Sequence, residues 1–201
     1  MVPVVVKRIK EIDSMRIRSY TTVLCLLTFA TSIIFMTSCV EQKSAKEGGS
    51  TMSKAPMFQA KNLVDGEVIS LQDMEGRVLI IDFWATWCPP CRMEIPGFIE
   101  IYDKYKDKKF AIIGISVDVS GETVVKKFIE EYKVNYPVIM VTRQLQSDYE
   151  KAIGKPIRGI PTTLVVNREG SIESVHVGYR SRDAFEKEIK KLLGEAGGIV
   201  R

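Results

Sequence analysis

Asp82-Phe83-Trp84-Ala85-Thr86-Trp87-Cys88-Pro89-Pro90-Cys91-Arg92-Met93-Glu94-Ile95-Pro96 sets two thiols three residues apart, just after the apolar run Arg77-Val78-Leu79-Ile80-Ile81 and just where a helix should begin. Thiolate, not thiol, attacks a disulfide, so a site for that chemistry must lower one pKa and keep a second sulfur within reach. With Cys88 as N-cap, its sulfur faces the positive end of the helix dipole, and Cys91 sits at N3, one turn on. Pro89 at N1 and Pro90 at N2 remove N–H groups the first turn does not use, and the Cys91 N–H remains to bond the Cys88 sulfur. The pattern points to a dithiol/disulfide exchange site. With few donors aimed at the sulfur and no His beside it, the expectation is a reductant of intermediate potential.

Working outward, residues 77–84 read as a strand buried on both faces. The helix after Cys88 should run to about residue 106, with Ile95, Phe98, Ile99 and Tyr102 on one stripe and a kink at Pro96. Residues 110–117 form a second buried strand, 123–132 an amphipathic helix, 137–141 a third parallel strand and 145–153 a short helix. Strands and helices alternating in this way imply right-handed crossovers in an α/β sheet. Before them, 58–63 and 68–71 flank Asp65-Gly66, a hairpin-turn dipeptide, and are expected to extend the sheet at an edge. After them, Gly159-Ile160-Pro161-Thr162-Thr163 leads into a strand at 163–167, a turn at 167–170 and a last strand at 172–177. Ser181 can cap a final helix with Phe185, Ile189, Leu192 and Leu193 inward. One domain, 56–195, with a tail at 196–201, accounts for the folded part.

The chain has 201 residues, 45% of them apolar, with 29 Lys/Arg against 25 Asp/Glu. Five of those bases and two of those acids lie in residues 1–38, and without them the balance is 24 to 23, which argues against a nucleic-acid surface. Of the four cysteines, Cys25 lies within an apolar leader and Cys39 ends it, so a structural disulfide framework is excluded. One Cys-x-x-Cys supplies two ligands where structural zinc takes four, and His176 is the only histidine, so neither a metal nor a cofactor is expected.

Lys7, Arg8, Lys10, Arg16 and Arg18 precede a charge-free run from Ser19 to Val40, the layout of an export signal or a membrane anchor. A start at Met15 would give the ordinary signal arrangement. The run ends in Met36-Thr37-Ser38-Cys39, which resembles the lipobox of bacterial lipoproteins, and that resemblance implies lipid attachment at Cys39; an uncleaved spanning helix is the alternative. Either places the domain in the cell envelope, outside the cytoplasm. Residues 39–55 read as a flexible tether, whose roughly fifteen polar residues span about 20 Å.

Together, Trp87-Cys88-Pro89-Pro90-Cys91, Asp82 six residues earlier and Gly159-Ile160-Pro161-Thr162 later in the chain resemble the thioredoxin superfamily. The similarity is greatest to the membrane-tethered TlpA/ResA-type thiol-disulfide oxidoreductases, with 123–141 as the inserted β-α piece. It implies a thioredoxin-like α/β fold, a central mixed sheet with helices on both faces. It further implies that Cys88 is the exposed nucleophile and Cys91 the buried resolving thiol of a redox disulfide. Ile160-Pro161 would be the cis-proline loop that lends backbone groups to substrate, with Trp87 and Pro89 on the rim. Asp82 would take the Cys91 proton, its pKa raised by burial, and Glu94 matches an acid near the site in ResA-like members. A solvated helix face is the other reading of Glu94, and a strand-end acid bonded to backbone the other reading of Asp82. The resemblance implies protein-disulfide reduction on exported proteins carrying disulfides or dithiols, apocytochrome c among them, with electrons from a membrane donor.

Two other functions were open to these residues. A thiol peroxidase would need an Arg to polarise the peroxide, which is not identifiable; a copper-holding metallochaperone would need His or Met beside the cysteines. His176 reads as an exposed strand residue, Trp84 as core, and the charged runs 103–109 and 186–191 as solvated helix faces.

Overall fold

The structure, a computed structural model, describes residues 53–195; the leader, Cys25, Cys39, most of the tether and the tail at 196–201 lie outside the described residues. Its elements are β1 (Gln59–Lys61), β2 (Val68–Ser70), a 3-10 turn (Gln72–Met74), β3 (Val78–Trp84), α1 (Pro89–Tyr105), β4 (Phe110–Ser116), α2 (Glu122–Tyr132), β5 (Val138–Met140), α3 (Arg143–Ile153), β6 (Thr162–Val166), β7 (Ile172–Val177) and α4 (Arg182–Leu193).

Five strands form one mixed sheet in the order β5-β4-β3-β6-β7. β3 pairs parallel with β4, and β4 with β5, while β6 runs antiparallel to both β3 and β7. β3 and β4 are buried along their whole length, and apart from Asp82 and Ser116 their sequences are apolar, as a strand covered on both faces requires. Successive side chains of a strand point to opposite faces, so β3 divides its residues between two cores. Val78, Ile80 and Trp84 pack with Ile95, Phe98, Phe128, Phe185 and Ile189 of α1, α2 and α4. Leu79, Ile81 and Phe83 pack with Leu145 and Tyr149 of α3 on the other side. Asp82 shares its parity with Ile80 and Trp84, and therefore faces the layer that contains α1.

α1 continues through Pro96, and its buried stripe is Cys91, Glu94, Ile95, Phe98, Ile101 and Tyr105. Ile99 and Tyr102, expected on that stripe, are only partly buried. Ser181 occupies the N-cap of α4, but its side chain makes no capping bond. Glu186, expected on a solvated face, is buried, accepting from Lys104 Nζ at 2.5 Å and from the Tyr105 hydroxyl at 2.8 Å. Trp84 is fully buried against the Phe128 ring.

The N-terminal hairpin corrects another expectation. β1 and β2 form a separate two-stranded sheet and do not lengthen the main one. The hairpin is hydrogen-bonded to β5 at Val138: the Leu63 N–H donates to the Val138 carbonyl at 2.7 Å, and the Val138 N–H donates to Asn62 Oδ1 at 3.0 Å. An amide side chain stands where a ladder would need a strand, so pairing stops there. Gly66, at φ +87°, allows the tight reversal between the two strands.

Candidate functional site: a helix-capping disulfide over two buried acids

Cys88 is the N-cap of α1, in extended conformation, with Pro89 and Pro90 following it into the first turn. Its sulfur is bonded to that of Cys91, and it accepts the Cys91 N–H at 3.2 Å. The local sequence dictates this arrangement: two prolines can enter a first turn at no hydrogen-bond cost, and the first free N–H then points back at the cap.

The sulfur is less accessible than expected. Cys88 is 2% exposed and Cys91 0%, so in the disulfide form both are buried. The cover comes from far along the chain, where the Ile160 carbonyl oxygen lies 3.7 Å from Cys88 Sγ, close enough to receive a thiol proton once the bond is opened. The Ile160-Pro161 peptide is cis. The Pro161 carbonyl accepts the Gly178 N–H at 2.8 Å, so it is spoken for, and Ile160 supplies the backbone group nearest the sulfur. Trp87, at 63% exposure, stands beside the buried pair, and Pro89 is exposed.

Asp82 and Glu94 are both buried, Asp82 on β3 and Glu94 one turn after Cys91 on α1. Asp82 Oδ1 accepts the Thr163 hydroxyl at 3.0 Å, from the residue paired with it across β3 and β6. Burial pushes its carboxyl up to about 7, with the Thr163 bond pulling the other way. Glu94 is raised to about 8, chiefly by burial and further by the negative charge of Asp82, against the lowering effect of the Arg180 N–H. That N–H donates to Glu94 Oε1 at 2.5 Å, whereas Oε2 is buried and has no partner among the described residues. Tyr136 closes the group: it is fully buried, and burial together with the two carboxylates pushes its hydroxyl up. Two acids that can hold protons near neutrality therefore lie in the layer that contains the disulfide.

Gly114, opposite Asp82 in the β3–β4 register, makes room for this cluster. A Cβ there would stand 2.9 Å from Trp84 Nε1 and 3.4 Å from the Tyr136 ring.

Asp118 was not picked out from sequence. It is buried two residues beyond β4, accepts the Thr86 N–H at 2.9 Å and the Thr86 hydroxyl at 2.6 Å, and also receives the Ser116 hydroxyl at 2.9 Å. It fixes the turn that presents Trp87 and Cys88. The one available signal was an acid just past a largely apolar strand, much as Asp82 follows the apolar run 78–81. Arg180 is a second residue not singled out, since its part is played by a backbone N–H. His176, expected to be exposed, is half-buried among Ser174, Arg180 and Glu188. Among the described residues no group of three or more His, Cys, Asp or Glu is placed to hold a metal ion.

Comparison with known proteins agrees with this geometry. The profile of the AhpC/TSA family matches residues 51–175. The thiol-disulfide oxidoreductase ResA of Oceanobacillus iheyensis is 36% identical over 135 residues, covering 66% of this chain and 67% of that protein. The thioredoxin-like protein YneN of Bacillus subtilis is 29% identical over 158 residues, or 78% of this chain and 86% of that one. Among solved structures, a thioredoxin-family thiol:disulfide interchange protein from Chlorobium tepidum superposes with a TM-score of 0.68 at 34% identity, covering 73% of this chain and 99% of its own. The chain belongs to the AhpC/TSA family, as a thioredoxin-fold, ResA-like thiol-disulfide oxidoreductase.

Proposed function

We propose that this oxidoreductase works as a protein-disulfide reductase outside the cytoplasm, held at the membrane by its N-terminal segment, with Cys39 as the lipid-bearing residue. The observation that carries the reading is the Cys88–Cys91 disulfide at the N-cap of α1, with the Ile160 carbonyl beside the first sulfur. In the reduced enzyme, the Cys88 thiolate attacks one sulfur of a substrate disulfide and displaces the other as a thiolate, which takes up a proton. Asp82 or Glu94, as carboxylate, accepts the Cys91 proton. The Cys91 thiolate then attacks Cys88 Sγ, releasing the second substrate sulfur and closing the 88–91 disulfide. The substrate gains two electrons and the enzyme loses two, so a membrane dithiol donor must restore it. Exported proteins with paired cysteines suit this chemistry, apocytochrome c thiols among them. Trp87 supplies an apolar rim on which an unfolded substrate segment can pack.

Trapping tests this directly. A Cys91→Ser variant expressed in cells should accumulate mixed disulfides through Cys88, and the captured proteins should be exported ones. Capture of none, or full insulin-reducing activity in Cys88→Ser, would defeat the proposal. Replacing Cys39 should release the protein from the membrane fraction; unchanged membrane association would remove the lipid anchor from it.

A further inference from the structure

The loop between β7 and α4, residues 178–181, touches the site at two main-chain points. Its Gly178 N–H bonds the Pro161 carbonyl at 2.8 Å, and its Arg180 N–H bonds Glu94 Oε1. What holds the loop is the Arg180 side chain. Arg180 Nη2 donates to Glu188 Oε1 at 2.7 Å, and Nη1 packs against the His176 ring, 2.6 Å from both Nδ1 and Nε2. Glu188 Oε2 in turn meets His176 Nε2 at 3.1 Å and accepts the Ser174 hydroxyl at 2.9 Å. The guanidinium also sits over the Phe185 ring, 5.5 Å from its centroid. Three side chains from β7 and α4, Glu188, His176 and Phe185, thus surround one guanidinium, and Ser174 braces the first two.

We propose that Arg180 is a positioning residue: its guanidinium, clamped by Glu188 and His176, fixes the loop so that the Arg180 N–H stays aimed at Glu94 Oε1. Among the described residues the Glu94 carboxylate has no other hydrogen-bond partner, and its second oxygen has none. A carboxylate in that setting depends on the single N–H for its stability, since burial and the Asp82 charge both favour the protonated form. The groups around Glu94 are Asp82 from β3, Tyr136 from the segment before β5, the Arg180 N–H from the loop and, lining the cleft that Glu94 shares with the start of α4, Glu100, Arg180, Arg182 and Asp183. Among the described residues only the Arg180 N–H bonds the carboxylate; Arg182 is paired with Glu100 and Asp183, and the Arg180 guanidinium with Glu188. Loosening the clamp therefore raises the proton affinity of Glu94 without touching α1 or either cysteine.

This inference deepens the exchange reading, in which Glu94 can take the Cys91 proton, but its test does not depend on that reading. The Glu94 side-chain carboxyl carbon is followed by NMR against pH in the full chain, oxidised form. Arg180→Ala should move the Glu94 midpoint up by about one pH unit, the size expected for losing one hydrogen bond to a carboxylate. Glu188→Ala, which keeps the guanidinium but removes its anchor, should move it in the same direction, and Arg180→Lys should recover part of the shift through Glu188. A midpoint unchanged in both alanine variants overturns the proposal. A shift in Arg180→Ala alone would assign the effect to the charge of the guanidinium, and overturns the clamp as well. If the midpoints move as expected while Cys88→Ser still reduces insulin, the clamp stands and the exchange reading fails.

Discussion

Thr86 and Asp118, on turns that follow two neighbouring parallel strands, are joined twice: the Thr86 N–H and hydroxyl donate to the two oxygens of one buried carboxylate. The turn leading to Trp87 and Cys88 is thereby tied to the end of β4, and Ser116 braces the same carboxylate from its own strand. The approach to the reactive sulfur is set from outside the Cys-Pro-Pro-Cys segment.

Asp118→Ala would leave a backbone N–H and two hydroxyls without their acceptor in a buried place. The cost should be about 2–4 kcal/mol, from unsatisfied donors and lost charge-assisted bonds. Asp118→Asn keeps one good acceptor and should cost less. Because the turn positions Cys88, disulfide reduction should fall about tenfold or more in Asp118→Ala. Urea unfolding and insulin reduction on the same preparations check both numbers. Full activity with a large stability loss would show that the turn does not set the approach.

The acids under the disulfide should give the enzyme an unusual pH dependence. Folded-state values of about 7 for Asp82 and about 8 for Glu94 lie above ordinary carboxylates, so between those ordinary values and the raised ones the folded state binds more protons than the unfolded state. Stability is therefore full near pH 4 and is lost as pH rises towards 7 and 8, at up to about 1.4 kcal/mol per pH unit for each group. Asp82→Asn should flatten the first part of that fall and Glu94→Gln the last, and both should be more stable than the parent at pH 8. The rate of disulfide reduction should show the mirror image, rising as the carboxylates become free to take a proton, with a limb that each variant displaces. Chemical unfolding at a series of pH values is the measurement. A parent protein equally stable at pH 5 and pH 8 would contradict it.

Local chemistry was legible in the sequence, and distant partnership was not. The cap, the two prolines and the returning Cys91 N–H follow from four consecutive residues, and the structure has them as expected. The direction of Asp82 follows from strand alternation alone. The burial of Glu94 was left open because an acid on a helix weighs as polar in any periodicity; what places it inside is an N–H from residue 180. The exposure of Cys88 was misjudged for a similar reason, since its cover is a carbonyl 72 residues away. The hairpin looked like strands and is strands, but which edge it would meet, and that Asn62 would end the pairing, depends on β5.

Gly114 carries a packing prediction. It faces the α1 layer between Trp84, Tyr136 and Val138, where an added methyl would come within 2.9 Å of the indole nitrogen. Trp84 and Tyr136 are both fully buried and cannot swing aside. Gly114→Ala should therefore destabilise by about 1–3 kcal/mol, the usual cost of overpacking. Because Tyr136 lies beside Asp82 and Glu94, the strain should also move the pH limbs described above. Thermal unfolding together with the pH series would reveal it, and an unchanged midpoint would mean the layer can open.

Asn62 offers the opposite case, a stability role separate from chemistry. It is 2% exposed, and its Oδ1 accepts the Val138 N–H at 3.0 Å and the Val64 N–H at 3.2 Å. Asn62→Leu keeps similar bulk but strips the acceptor from a buried N–H at the edge of β5, which should cost about 1–3 kcal/mol. The loss should appear first as faster amide exchange at Val138, where the hairpin meets the sheet. Residue 62 lies on the hairpin, and the disulfide, the proline loop and the two acids all reside on other elements. Insulin reduction at a temperature where the variant remains folded should therefore match the parent. A fall in activity without a matching fall in stability would tie the hairpin to the active site, a connection absent from the bonds described.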